Sequence, residues 1–165
     1  MSTKRAFTLI ETVLYVAILG MIAGSLILFS ISMSTARAKD AVIEEVNTGA
    51  RNSLGIISSK IRQATAVTVP LPGASNTVLG LDMPAPTPDV VILPLNGVLN
   101  YIDSAVGAQQ MTSNNVRVKN ILFQNVASAG ERDALKITLT LQVNASSSPE
   151  FNYEQTVSTT VMTHL

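Results

Sequence analysis

One apolar stretch decides the architecture of this chain: residues 7–31 read FTLIETVLYVAILGMIAGSLILFSI. The stretch contains a single charged residue, Glu11. As a helix rising about 1.5 Å per residue it would be roughly 37 Å long, against about 30 Å for the hydrocarbon core of a bilayer. Residues 7–31 are therefore predicted to form a transmembrane helix with some tilt.

The flanks of this stretch leave three interpretations open. Two basic residues precede it, within a leader of residues 1–6, and two more, Arg37 and Lys39, follow it. The basic residues therefore do not orient a plain single-pass anchor, the first interpretation. A secretory signal peptide, the second, would be cut after Ala38, but its apolar region would normally have only about 7–15 residues. The third interpretation depends on Glu11.

Glu11 places an acidic side chain inside a predicted membrane helix. Such a group costs roughly 2.5–3.5 kcal/mol at the bilayer centre and less near a helix end. Either the carboxylate reaches the interface, or it meets a cation. The chain has no Lys or Arg between residues 6 and 36, so the cation would come from another subunit or from a newly formed N-terminus. Such a pair would also fix the axial register between packed helices.

The residues at the start of the stretch resemble a known signal. Residues 4–11, KRAFTLIE, are similar to the class III signal peptide of bacterial type IV pilins and type II secretion pseudopilins. The resemblance implies that prepilin peptidase cleaves between Ala6 and Phe7 and methylates the new amine of Phe7. It also implies that Glu11 pairs with the N-terminal amine of a neighbouring subunit during assembly. The sequence departs from the family at Ala6, where Gly is preferred, and at Leu28, where many major pilins have Pro.

Two glycines in the stretch are candidates for helix packing. Gly20 and Gly24 form a G-x-x-x-G pattern, which lets two membrane helices approach closely. Ordinary glycines in a membrane helix are the open alternative. Gly20 also falls where many members of the resembled family have Gly.

The helix is predicted to continue to residue 66. No Pro occurs between Phe7 and Val69, and Pro70, Pro72 and Gly73 end the helix. Apolar residues recur at steps of three and four, as on one face of a helix: Ile43, Val46, Ala50, Leu54, Ile57, Ile61 and Ala64. This stripe is typical of a helix packed on a globular domain, with a coiled-coil seam as the alternative.

The remaining residues show the alternation of β-strands. Residues 135–143 and 153–161 alternate apolar and polar side chains. Residues 116–126 change phase near Ile121, which predicts a bulge. The Pro-rich residues 84–94 indicate a loop, or edge strands interrupted by Pro. Shorter strands are predicted at residues 78–81, 90–93 and 98–102.

These patterns together predict an α+β fold, which the resemblance makes pilin-like. One long N-terminal helix would span the membrane with its first half and pack with its second half on an antiparallel β-sheet domain. The predicted divisions are a leader (1–6), a transmembrane and assembly helix (7–31), its amphipathic continuation (32–66) and an extracytoplasmic β-rich domain (67–165).

Composition argues against an enzyme. The 165 residues include no Cys and a single His, so thiolate metal sites, cysteine nucleophiles and multi-His sites are excluded. Asp82, Asp89 and Asp103, scattered through predicted loops, lack the spacing of a calcium loop. The 11 basic and 11 acidic residues balance, which gives no basic footprint for nucleic acid. We therefore expect no catalytic, metal-binding or cofactor-binding residues and no nucleic-acid partner.

The expected function is that of a structural subunit, a minor pilin or J/W-type pseudopilin. Its partners would be prepilin peptidase, other pilin or pseudopilin subunits and the bacterial inner membrane, with the C-terminal domain outside the cytoplasm before assembly into a pilus or pseudopilus. Two alternatives are an anchored domain that never polymerises and a pilus-associated subunit for adhesion or DNA uptake. The sequence leaves open which machine the subunit serves, whether it is a major or a minor component, and what it binds outside the cell.

Overall fold

The structure is a computed structural model that describes residues 8–128, 130–144 and 152–163. The chain forms two compact units, Met1–Ala41 and Val42–Leu165. In the described residues, one long helix is followed by nine strands in two antiparallel sheets. The predicted α+β layout is therefore confirmed, whereas the prediction of one sheet is wrong.

Helix α1 spans Leu9–Gln63. It ends three residues before the predicted position, because the chain turns there into a strand. The N–H of Ala64 still donates to the carbonyls of Lys60 and Ile61, and the N–H of Thr65 already donates to the carbonyl of Asp82. Residues 66–69 read AVTV, a β-branched run that favours a strand over a further helical turn.

The first sheet has the strand order β1-β3-β4-β5-β6. Its strands are β1 (Ala66–Val69), β3 (Leu79–Asp82), β4 (Val90–Leu95), β5 (Val98–Asp103) and β6 (Gly107–Gln110). The Pro-rich segment thus contributes a strand, with Pro94 inside it. Pro94 pairs with Leu99 but lies beyond the residues at which β3 pairs with β4, so its missing N–H costs no ladder hydrogen bond on that side.

The second sheet has the order β2-β7-β8-β9. Its strands are β2 (Ser75–Asn76), β7 (Val116–Asn125), β8 (Ala134–Val143) and β9 (Glu154–Met162). The register between β7 and β8 shifts between Val118 and Asn120, which confirms the predicted bulge. The register between β8 and β9 runs without a shift from Ala134–Met162 to Gln142–Glu154.

One hydrophobic core joins the outer half of the helix to both sheets. The buried residues of α1 are Val46, Ala50, Ser53, Ile57 and Ile61. At Gly49 an added Cβ would lie 3.9 Å from side-chain atoms of Leu141 and Val116 in the second sheet. On the other side, Lys60 Nζ lies 4.9 Å from the ring centroid of Tyr101 in β5. Most of the predicted stripe therefore packs on the sheets rather than forming a coiled-coil seam, whereas Ile43 is exposed.

A tight hairpin ties the first sheet to the second. Asn96 and Gly97, both with positive φ, form the two-residue turn between β4 and β5. The Gly97 carbonyl accepts a hydrogen bond from the N–H of Val118, at 2.7 Å. Strand β2 pairs with β7 only at Phe123 and Gln124, so the N–H of Val118 has no strand partner on that side of β7 and can bond to the hairpin.

A buried polar group makes a second link between the sheets. The Asn125 side chain donates to the Pro70 carbonyl and to Asp133 Oδ1, while Asp133 Oδ2 accepts from the N–H of Val67 in β1. These bonds satisfy polar groups that burial would otherwise leave unpaired. They fix the β1 end of the first sheet to the β7 and β8 end of the second.

Candidate assembly segment

The candidate site is the N-terminal part of α1. Ala6 and Phe7, the residues of the predicted cleavage and methylation site, lie outside the described residues. Glu11, Gly20 and Gly24 all lie in α1. The helical setting that the sequence predicted for these three residues is therefore present, while their roles stay predictions.

The apolar side chains of this segment are exposed along its whole length. Leu9 is 83% exposed, Leu19 70% and Met21 76%. Helix α1 contains a window long and apolar enough to cross a membrane, and none of that window is buried within the chain. Soluble monomers rarely expose so large a continuous apolar surface, and such a surface suits a lipid environment or packing against other helices.

Two serine hydroxyls of α1 form hydrogen bonds within the helix itself. Ser25 Oγ donates to the Ile22 carbonyl and Ser32 Oγ to the Leu28 carbonyl, at 2.8 and 3.0 Å. Polar groups in a lipid environment need internal partners of this kind. Ser25 and Ser32 are thus compatible with an apolar environment.

Glu11 lies in the first turn of α1, where the partial positive charge of the helix N-terminus favours an acid. Its N–H donates to the Thr8 carbonyl at 3.1 Å and makes a longer hydrogen bond, 3.4 Å, with Thr8 Oγ1. In the described part of the chain the single ion pair is Lys119 with Glu154, so no basic side chain there contacts the Glu11 carboxylate.

Thr8 is a residue that the sequence analysis missed. Thr8 and Glu11 have the T-x-x-E spacing of a capping box, in which the Thr hydroxyl bonds the third helical N–H. The T-x-x-E spacing alone is enough to predict this capping contact. Glu11 therefore has a second candidate role, in starting the helix, and this role depends on its hydrogen-bonding groups rather than on its charge.

Gly20 and Gly24 lie on α1 without side-chain cover. A Cβ added at either position would meet no atom of the described residues within 4 Å. The small patches they leave are open to a second helix. The arrangement permits the close approach that the G-x-x-x-G pattern predicts.

The three aspartates do not form a shared site. Asp82 and Asp103 end β3 and β5 rather than lying in loops as predicted. A hydrogen bond with the Asp89 carboxyl and the charge of that group raise the pKa of Asp82. The Ala105 N–H, which donates to Asp103 at 2.7 Å, lowers the pKa of Asp103. Within the described ranges, no group of three or more potential ligands could hold a metal ion.

The described segment is therefore an apolar helix with one carboxylate in its first turn and two uncovered glycines further along. It can enter a lipid bilayer or pack against similar helices, because its surface is apolar. Comparison of the chain with protein-family models, with curated proteins and with solved structures finds no match.

Proposed function

We propose that this chain is a structural subunit of a type IV pilus or a type II secretion pseudopilus. It is a substrate of prepilin peptidase rather than an enzyme, and the mature chain begins at Phe7. Before assembly it resides in the bacterial inner membrane through residues 7–31, with its β-rich domain outside the cytoplasm. The filament then forms by packing of these helices.

The observation that carries the proposal is Glu11 in its surroundings. Its carboxylate is the single charge of the apolar stretch, and no basic side chain of the described residues contacts it. An unpaired carboxylate is costly in a low-dielectric environment. The amine created by cleavage before Phe7 would lie on a neighbouring subunit and neutralise it, which also selects one axial stagger between helices.

The exposed apolar surface supports the same proposal. Leu9, Leu19 and Met21 are exposed in the described structure. In the membrane lipid covers these side chains, and in a filament other helices do so. The uncovered Gly20 and Gly24 provide points at which neighbouring helices can approach closely in the filament.

The first test is the mass of the chain recovered from membranes of a bacterial host that also expresses prepilin peptidase. The expected product lacks residues 1–6 and carries one additional methyl group on the amine of Phe7. The matched control is the same host without the peptidase, which should give a chain starting at Met1. A product that starts at Lys39 would contradict the proposal, because it would identify a secreted domain.

The second test separates the charge of Glu11 from its capping role. Glu11→Gln keeps the hydrogen-bonding groups of a capping box but loses the charge, whereas Thr8→Val loses the capping hydroxyl but keeps the charge. In a host with the complete assembly machinery, we expect Glu11→Gln to be processed but absent from sheared filaments. Thr8→Val should be processed and assembled.

Two results would count against this role of Glu11. If Glu11→Gln and Thr8→Val assemble equally well, the charge is not required. If neither wild-type chain nor variant enters a filament although both are processed, the chain is an anchored domain that does not polymerise.

A further inference from the structure

Strand β9 is an edge strand whose outward backbone groups pair with no other strand of the described residues; the Thr156 carbonyl accepts one long side-chain hydrogen bond, 3.4 Å from Gln155 Nε2. This strand is the last one of the second sheet. The N–H of Thr163 donates to the Asp133 carbonyl and the N–H of Val143 to the Tyr153 carbonyl, so the odd-numbered residues of β9 bond to β8. The even-numbered residues therefore direct their N–H and C=O groups outward: Glu154, Thr156, Ser158, Thr160 and Met162.

This edge lacks the usual protection against pairing. Exposed edge strands are normally short, bulged, or interrupted by Lys or Pro. Strand β9 has nine residues, EQTVSTTVM, with neither Lys nor Pro, and its register with β8 has no shift. Its one charged residue, Glu154, already forms an ion pair with Lys119 of β7. A second strand can therefore approach this edge without meeting an uncompensated charge.

The sequence of β9 is complementary to itself. In an antiparallel pair centred on Ser158, the middle of Glu154–Met162, each Ser158 faces the Ser158 of the other copy. Thr156 then faces Thr160, and Glu154 faces Met162. No like charges are opposed, and all outward backbone groups of the nine residues find partners.

We propose that two copies of this chain pair through β9 in this register and form one continuous eight-stranded sheet. Threonine pairs across strands are among the favourable ones, and the contact joins the same surface on both copies. Such a two-fold contact closes on itself, so it stops at a dimer. The proposal rests on β9 alone and does not depend on processing at Phe7 or on Glu11.

Single cysteines test the register, because the chain contains no Cys. Directly opposed residues of a hydrogen-bonded pair have Cα atoms about 5.5 Å apart, within the range of roughly 4.4–6.8 Å that a disulfide requires. Full-length Ser158→Cys in non-ionic detergent, oxidised with diamide, should give a disulfide-linked dimer as its main product.

The matched controls use the neighbouring outward positions. In the proposed register two copies of Thr156→Cys are four residues apart along the strands, about 14 Å at roughly 3.4 Å per residue. Thr156→Cys alone and Thr160→Cys alone should therefore each give at least tenfold less dimer than Ser158→Cys. Mixed together, they should form the mixed disulfide. These controls also exclude dimers that arise because two helices share one micelle.

A charge variant tests the pairing without cysteine. Ser158→Lys places two lysines face to face across the proposed contact and should shift the chain to monomer in analytical ultracentrifugation with density-matched detergent. Thr138→Lys is the control, since Thr138 pairs with Ser158 from the inner strand β8 and is not on the edge. If Ser158→Cys gives no more dimer than Thr156→Cys, or if Ser158→Lys associates like Thr138→Lys, the proposal is wrong.

Discussion

The Ser53 hydroxyl is buried without a hydrogen-bond partner in the described part of the chain. It lies on the core face of α1, where an unsatisfied hydroxyl costs about 1–3 kcal/mol. Ser53→Ala removes that cost and introduces a better helix former, so we expect the free energy of unfolding to rise by about 1 kcal/mol. Urea unfolding of the full chain in non-ionic detergent measures it. The control is Ser59→Ala, an exposed position, which should change stability by about 0.5 kcal/mol or less.

Asp82 makes a pH-dependent contribution to stability. Its pKa is raised in the folded chain by the Asp89 carboxyl, so the folded state binds more protons than the unfolded state around and above the usual pKa of an aspartate. This contribution therefore weakens stability as pH rises through that window. Asp82→Asn can still donate to Asp89 without repelling it. We expect its melting temperature to exceed that of the wild-type chain at pH 7, with a smaller difference at pH 4.

The comparison across pH is the control for this prediction, because the contribution of Asp103 to stability changes with pH in the opposite direction. The Ala105 N–H lowers the pKa of Asp103, so its contribution is lost as pH falls. The contribution of Asp103 is the same in the wild-type chain and in Asp82→Asn, so it cancels when their melting temperatures are compared. A melting-temperature difference between Asp82→Asn and the wild-type chain that is constant from pH 4 to pH 7 would contradict the assignment.

At the same scale, the sequence identified individual residues best where they stood apart from their surroundings. Glu11 is the one charge in an apolar run, and Gly20 and Gly24 are its two glycines. The capping contact of Thr8 escaped because threonine is unremarkable in a membrane helix. The contact of Asp82 with Asp89 follows from the pairing of β3 with β4, whose register the pattern of either strand alone does not specify.

Helix α1 provides a matched pair of consecutive isoleucines, one on its buried face and one exposed. Ile57 is fully buried in the core, whereas Ile56 is 42% exposed. Truncating a buried isoleucine to alanine costs about 2–5 kcal/mol, since it removes buried apolar surface and leaves a cavity. We expect Ile57→Ala to destabilise the chain by this amount in urea unfolding and Ile56→Ala by less than about 1 kcal/mol. Equal effects would show that the outer half of α1 does not pack on the sheets through the Ile57 face.

The hairpin between β4 and β5 offers a second test of an element. Gly97 has φ +78°, and an added Cβ would lie 2.7 Å from Arg117 Nε. Gly107 has φ +88° with no atom of the described residues within 4 Å of an added Cβ. Gly107→Ala should therefore cost only the left-handed backbone conformation, about 1–2 kcal/mol, and Gly97→Ala more.

A double variant separates the clash at Gly97 from the backbone cost. In the Arg117→Ala background the clash is absent, so Gly97→Ala should cost no more than Gly107→Ala does in the wild-type chain. Thermal unfolding of the wild-type chain, the three single variants and the double variant measures the difference. If Arg117→Ala does not reduce the loss of stability caused by Gly97→Ala, the hairpin does not pack against the Arg117 side chain at Gly97.

Elements with long, regular patterns were predictable, and short edge elements were not. Strand β8 has ten residues with burial that alternates from Leu135 to Leu139, and its sequence shows that alternation. Strand β6, with sequence GAQQ, is exposed at every residue and has no apolar signal to read. Strand β1 was assigned in part to the helix because it follows α1 without an intervening Pro or Gly. The Asn96-Gly97 turn, by contrast, was visible in the sequence as a hairpin signal and was overlooked.

At the scale of the whole molecule, the sequence predicted a helix followed by antiparallel strands but not their division into two sheets. That division depends on contacts between residues far apart in the chain. Asn125 and Asp133 bond to residues 67–70, and the Asn96-Gly97 turn bonds to β7. Polar side chains and backbone groups carry these links, so hydrophobic periodicity, which reports only which face is buried, could not reveal them.

The last prediction concerns the whole chain. It tests whether the apolar segment of α1 holds the chain in a membrane. Leu19 lies at the middle of residues 7–31 and is 70% exposed. Arginine at the centre of a membrane helix costs about 2.5–3.5 kcal/mol, so Leu19→Arg should lower the equilibrium constant for insertion on the order of 100-fold. Ser34→Arg, an exposed position beyond the stretch, should leave insertion unchanged. Resistance of the full chain to carbonate extraction measures insertion, and Leu19→Arg remaining as resistant as Ser34→Arg would exclude residues 7–31 as the membrane span.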